Sequence, residues 1–199
     1  LTVSTFNDNT TSYYHKSIGG YHAAKLRRYQ ELIEAHIQNE IPQAWQSASN
    51  IAEVNGDSLF PVLNMLNMKH MILPLQGGGK VQVENPHANG NAWFVREVRY
   101  VDDADAELAG LTHLDTKHAA VADKQFEPIL GAPLNPPIRG DLSADSLPLM
   151  GESEGALLTS YEANELQYDV ESRDGGVLVF SEIYYPGWTC AVDGQPAEI

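Results

Sequence analysis

Apolar residues recur at three-four spacing across residues 21–39. Leu26, Tyr29, Leu32, Ile33, His36 and Ile37 fall on one side, with Lys25, Arg28, Glu31 and Gln38 on the other. This predicts the longest helix of the chain, ended by Ile41-Pro42 because the residue before a proline is pushed out of the helical region. The polar stretch 43–58 reads as a short helix and a loop. Asp57 or Ser58 can cap a second helix that has Pro61 in its first turn, where a missing amide hydrogen is tolerated, and Val62, Leu63, Met65 and Leu66 on its buried face.

Elsewhere the period is two. Strands are expected at residues 2–6, 69–73, 81–84, 93–101 and 119–122, with an acidic helix from Asp102 to near Leu111. Gly77-Gly78-Gly79 is a flexible tip without the lysine of a phosphate loop. Beyond residue 156, strands at 157–161, 165–172, 177–185 and 188–192 have antiparallel spacing. The strand over 177–185 is apolar on both faces, as expected inside a layered sheet. Pro186-Gly187 ends it, and Asp193-Gly194 marks a type I′ hairpin leading to a strand that starts at Pro196. That last strand meets the end of the sequence at Ile199, so the chain is expected to be a piece of a longer protein.

Between 131 and 155 lie four prolines and four glycines with no sustained apolar period, the pattern of a linker or crossing loop. The expected fold is therefore α+β. An amino-terminal mixed α/β layer (1–131) is followed by the Pro/Gly-rich segment (132–156) and an antiparallel β-sandwich part (157–199).

A chain of 199 residues, 43% hydrophobic, can bury a sizeable core. No apolar run approaches 18 residues, which excludes a spanning helix within the piece, and no leader is visible at Leu1. A net charge of −15 argues against nucleic acid as a partner, since phosphates would be repelled at long range. Cys190 is the single cysteine and so forms no disulfide framework; it is expected to be a buried strand residue.

The densest polar cluster is Tyr14, His15, Lys16, Tyr21, His22, Lys25 and Arg28. With Arg27 it holds four of the twelve basic residues of an acidic chain. Lysine and arginine can neutralise a phosphate while tyrosine rings stack on sugars. The Gly19-Gly20 break is expected to let amides at the start of the helix point toward an anion. The plainer alternative is that these cations are the solvated face of a helix. His15 and His22, even joined by His36, lack a zinc spacing, and His113 and His118 about Asp115 are equally unspecific, so no metal is expected. Trp93, Tyr184, Tyr185 and Trp188 are expected to pack in a core rather than form a carbohydrate platform. No nucleophile elbow or cofactor fingerprint occurs, so no catalytic residue and no cofactor is assigned.

The stretch GGVLVFSEIYYPGWTCAVDG (175–194) resembles, in nearly every residue, the closing segment of the soluble part of bacterial YfhO-like membrane proteins. The blocks SYYHKSIGGYHAAKLRRYQELI (12–33), VLNMLNMKHMI (62–72), NAWFV (91–95) and LTSYEANELQYDV (158–170) are similar to theirs too. The resemblance implies an extracytoplasmic domain, at the periplasm or cell surface, anchored through the membrane region of the same parent chain. It implies an accessory part in a GT-C-like glycosyltransferase that moves a sugar from a polyprenyl-phosphate carrier to a cell-envelope glycan. The catalytic acid would then lie outside this piece, which would be silent alone. The alternative is a non-catalytic binding or scaffolding domain of a cell-envelope assembly.

Overall fold

The computed structural model describes residues 5–7, 9–21, 25–130, 155–172, 176–197 and 199. The expected strand at 2–6 and the linker at 132–156 fall largely outside them.

A short helix α1 (Thr10–Tyr14) precedes a continuous helical run made of α2 (Arg27–Leu32), a π-helical turn (Ile33–Ile37) and α3 (Gln38–Gln46). The long helix thus starts six residues later than its apolar pattern suggests. It also does not stop at Ile41-Pro42, because Pro42 lies inside α3. An interior proline costs about 3 kcal/mol. Along this run Ile33, Ile37, Glu40 and Ala44 are all buried at three-four spacing, and an apolar side chain contributes about 1.5 to 3 kcal/mol on burial. Packing of that face offsets the local penalty.

Two short helices follow, α4 (Gly56–Leu59) and α5 (Pro61–Met65), the latter with Pro61 at its start as expected. Its N-cap position is held by Phe60, which makes no side-chain cap bond, rather than by Asp57 or Ser58. The capping is done from a distance: Glu40 accepts the amides of Val62 at 3.1 Å and Leu63 at 2.9 Å. Around this contact sits the main core of Ile33, Ile37, Ala44, Ile51, Phe60, Val62, Leu63, Met68 and Met71.

Strands β1 (His70–Pro74) and β2 (Lys80–Glu84) form a hairpin across the three-glycine tip. The single strand expected at 93–101 is instead two, β3 (Ala92–Val95) and β4 (Glu97–Val101). They part at Arg96, where the amides of Arg96 and Glu97 both donate to the His118 carbonyl. Helix α6 (Ala104–Gly110), capped by Asp103 accepting the Ala106 amide at 2.8 Å, carries the chain to β5 (Ala119–Asp123), which pairs with β4 in parallel. A 3-10 turn (Lys124–Phe126) and α7 (Glu127–Leu130) close this half.

Beyond residue 154 the described residues hold strands and turns only: β6 (Gly155–Glu162), β7 (Glu165–Glu171), β8 (Val177–Phe180), β9 (Cys190–Val192) and β10 (Gln195–Ala197). β6–β7 and β9–β10 are antiparallel hairpins, and β8 pairs antiparallel with β3. The fold is α+β. Strand pairing spans residues 131–154, since β3 lies before that segment and β8 after it.

Three burial expectations are corrected. The stretch 177–185 is not enclosed on both faces: β8 stops at Phe180, and Tyr184 and Tyr185 are about 60% exposed. Trp188 is also exposed, and only Trp93 of the four proposed core aromatics is buried. β8 has one paired neighbour, its first three residues are half-buried, and Phe180 stays exposed although its ring meets Tyr168 edge-on. Cys190, expected to be buried, is half-buried in the two-stranded ribbon of β9 and β10. Among the described residues no helix is long and apolar enough to cross a membrane.

Candidate functional site

The polar cluster of the amino-terminal region is organised by its turns. Asn9 accepts the Tyr21 amide at 2.6 Å, Ser17 Oγ accepts the Gly19 amide at 3.1 Å, and the Gly20 amide donates to the Thr5 carbonyl at 2.6 Å. A Cβ at Gly19 would lie 1.9 Å from the Thr5 carbonyl oxygen, so only glycine fits where these strands of backbone meet. The Gly19-Gly20 amides are therefore consumed by the turn. They neither open the helix, which starts at Arg27, nor point at an anion site, contrary to the expectation from sequence.

The turn and helix α2 enclose a half-open hollow of about 220 Å³, whose walls include Phe6, Ile18, Tyr29 and Ile183. Lys25 lines it, and its Nζ stands 5.2 Å from the Phe6 ring centroid. Tyr29 donates its hydroxyl to the Ile18 carbonyl, and burial pushes that hydroxyl up to about 12. Among the described residues no carboxylate lines the hollow.

The other cluster members disperse. Lys16 Nζ sits 2.8 Å from the ring centroid of Tyr161, in β6, and its charge also acts on Glu182. Burial pushes the Glu182 carboxyl up, while Lys16 pulls it down. Tyr14 is exposed and packs edge-on against Tyr13, with centroids 4.8 Å apart. His15 and Tyr21 are exposed. Arg28 turns toward Glu107 of α6 at 3.8 Å, and Arg27 pairs with Glu31 at 2.7 Å. His22 lies outside the described residues.

The structure thus brings Lys16 and Lys25 toward the segment Glu182-Ile183 and directs Arg28 away from it. Phe6, Tyr161, Glu182 and Ile183 were not recognised as neighbours of the cluster, and no local pattern marks them, because Ile183 reaches the hollow from the far end of the chain. Three histidines elsewhere are held by local contacts. His87 Nε2 is 2.8 Å from the Ile51 carbonyl, His36 Nε2 is 2.7 Å from that of Leu108, and His118 Nδ1 meets Asp115 at 2.9 Å on the surface.

Compared with protein-family models, with curated proteins and with solved structures, the chain matches none.

Proposed function

We propose that this chain is the extracytoplasmic domain of a polytopic membrane protein resembling GT-C-type glycosyltransferases, and that it assists sugar transfer from a polyprenyl-phosphate carrier to a cell-envelope polymer. The resemblance of five sequence blocks to YfhO-like proteins supports this reading. The structural observation that carries it is Lys25: in a chain of net charge −15, this cation lines a hollow that has no carboxylate among its described lining residues. Lys16 rests on the Tyr161 ring and acts on Glu182, the chain neighbour of the hollow residue Ile183, so it is a second cation of the same region that can meet an anionic headgroup beside exposed tyrosines.

The domain supplies ligand contact and the membrane region supplies chemistry. The test is sugar transfer by the full parent chain in membrane vesicles given a labelled polyprenyl-phosphate sugar. Transfer should occur, and Lys16→Ala with Lys25→Ala should reduce it several-fold. A parent chain without transfer, or one indifferent to both substitutions, overturns the reading.

A second reading, a scaffolding domain of an envelope assembly, is favoured by the exposed run Ile183, Tyr184, Tyr185, with Val192 also bare, which suits a protein partner. It is supported if the parent transfers nothing but co-purifies with envelope proteins through this face.

A further inference from the structure

We infer that the hollow beside Lys25 is a binding site for a small amphiphilic anion, a phosphate monoester or carboxylate carrying an apolar body of about six carbons. The inference deepens the function proposed above by giving a ligand class to the same site, and rests on that reading only in taking the hollow as the place of ligand contact. Its volume of about 220 Å³ equals roughly seven water volumes at ~30 Å³ each, which is room for a short chain or a single ring. The walls, Phe6, Ile18, Tyr29 and Ile183, are apolar or aromatic, and among the described residues of the lining Lys25 is the only charged one.

The polar groups around the hollow are largely committed already. Tyr29 donates its hydroxyl to the Ile18 carbonyl, Ser17 Oγ accepts the Gly19 amide, and the Gly20 amide is bonded to Thr5. A bare sugar ring placed here would set its hydroxyls against walls with few free partners, which a polar ligand tolerates poorly. An inorganic anion would meet one ammonium and leave the apolar walls unused. A ligand with an apolar body and one anionic end satisfies both features at once: the body replaces water against Phe6 and Ile183, and the charge pairs with Lys25.

The test is an NMR titration of the 199-residue chain with hexyl phosphate, hexanoate, hexanol, inorganic phosphate and glucose 1-phosphate. Hexyl phosphate and hexanoate should shift the amides of Ile18, Gly19, Lys25 and Ile183, and should bind at least tenfold more tightly than hexanol or inorganic phosphate. Lys25→Gln should weaken hexyl phosphate at least fivefold while leaving hexanol unchanged, and Ile183→Trp should weaken both by filling the space. Should either variant misfold by circular dichroism, the ligand comparison on the native chain decides alone. Hexanol binding as tightly as hexyl phosphate, inorganic phosphate doing so, or shifts that avoid the hollow each overturn the inference. The transfer assay on the parent chain is independent of these results. Tenfold discrimination at the hollow with no transfer by the parent keeps the inference and removes the proposed function; transfer without discrimination does the reverse.

Discussion

The carboxylate of Glu40 accepts the backbone amide of Leu63 at 2.9 Å, with both residues buried in the main core. Its second oxygen takes the amide of Val62 at 3.1 Å. These are free amides of the first turn of α5, which a capping side chain would ordinarily satisfy. A side chain from α3 therefore does the work of an N-cap and fastens two helices together.

Removing this carboxylate leaves two buried donors without acceptors. Glu40→Ala should destabilise the chain by about 2 to 4 kcal/mol, measured by urea unfolding. The pH dependence has a definite sign. Burial raises the Glu40 carboxyl from its ordinary value of 4.5 to about 7 in the folded chain, with the two amides pulling the other way. The folded state then binds this proton more tightly than the unfolded state, so the Glu40 contribution to stability falls as pH rises from about 4.5 to about 7 and is flat above. The native chain should lose stability across that window relative to Glu40→Gln. Parallel pH profiles for the two proteins would contradict this account.

Ser181 ties the carboxy-terminal strands to the helical half. Its Oγ lies 2.6 Å from the Met65 carbonyl and 2.8 Å from that of Gly90, and its amide donates to Asn91 at 2.9 Å. One hydroxyl proton serves two carbonyls, so Ser181→Ala should cost about 1 to 2 kcal/mol. The loss should appear locally, as faster hydrogen exchange at the β8 amides (Val177–Phe180) that pair with β3. Unchanged exchange there with slower or faster exchange elsewhere would sink the assignment.

Gly56 is buried against the ring of His87, and an added Cβ would lie 2.4 Å from His87 Cδ2. Gly56→Ala must therefore push that ring off its bond to the Ile51 carbonyl, at a cost of about 1 to 3 kcal/mol. Thermal unfolding checks the size, and the His87 ring resonances should move. A variant as stable as the native chain would show that His87 can shift freely.

The core lies in the helical half, so the two halves should respond differently to truncation. Phe60 is 0% exposed, whereas Leu157 in β6 is 68% exposed. Phe60→Ala should cost about 3 to 5 kcal/mol, and Leu157→Ala about 0.5 kcal/mol or less, both read from chemical denaturation. Similar losses at the two sites would mean that the 155–197 region carries a core of its own.

Several features were legible because they depend on local backbone chemistry. Asp193 and Gly194 both take positive φ, +50° and +78°, as a type I′ hairpin turn requires. Pro61 opens α5, and the acidic helix begins where Asp103 can cap it. The α+β class followed from the same switch between periods of three-four and two. Other features had no local signal. Pro42 reads as a stop, yet α3 passes through it because its buried face packs on Phe60 and its neighbours. Tyr184 and Tyr185 read as core, yet burial depends on a covering layer, and the stretch after Phe180 has little over it.

The candidate site divides the same way. Sequence by itself determined which cations and tyrosines are close along the chain over residues 14–28, but not which of them meet in space. Only the tertiary structure decided that Arg28 turns to Glu107, that Lys16 rests on Tyr161, and that Ile183 completes the hollow beside Lys25. The Glu40 cap on α5 belongs with them, joining residues 22 and 23 positions apart. The physical reason is common to all four. A side chain's type sets what it can pair with, but its partner is whatever the packing of distant segments brings within a few ångströms, and neither periodicity nor local propensity encodes that distance.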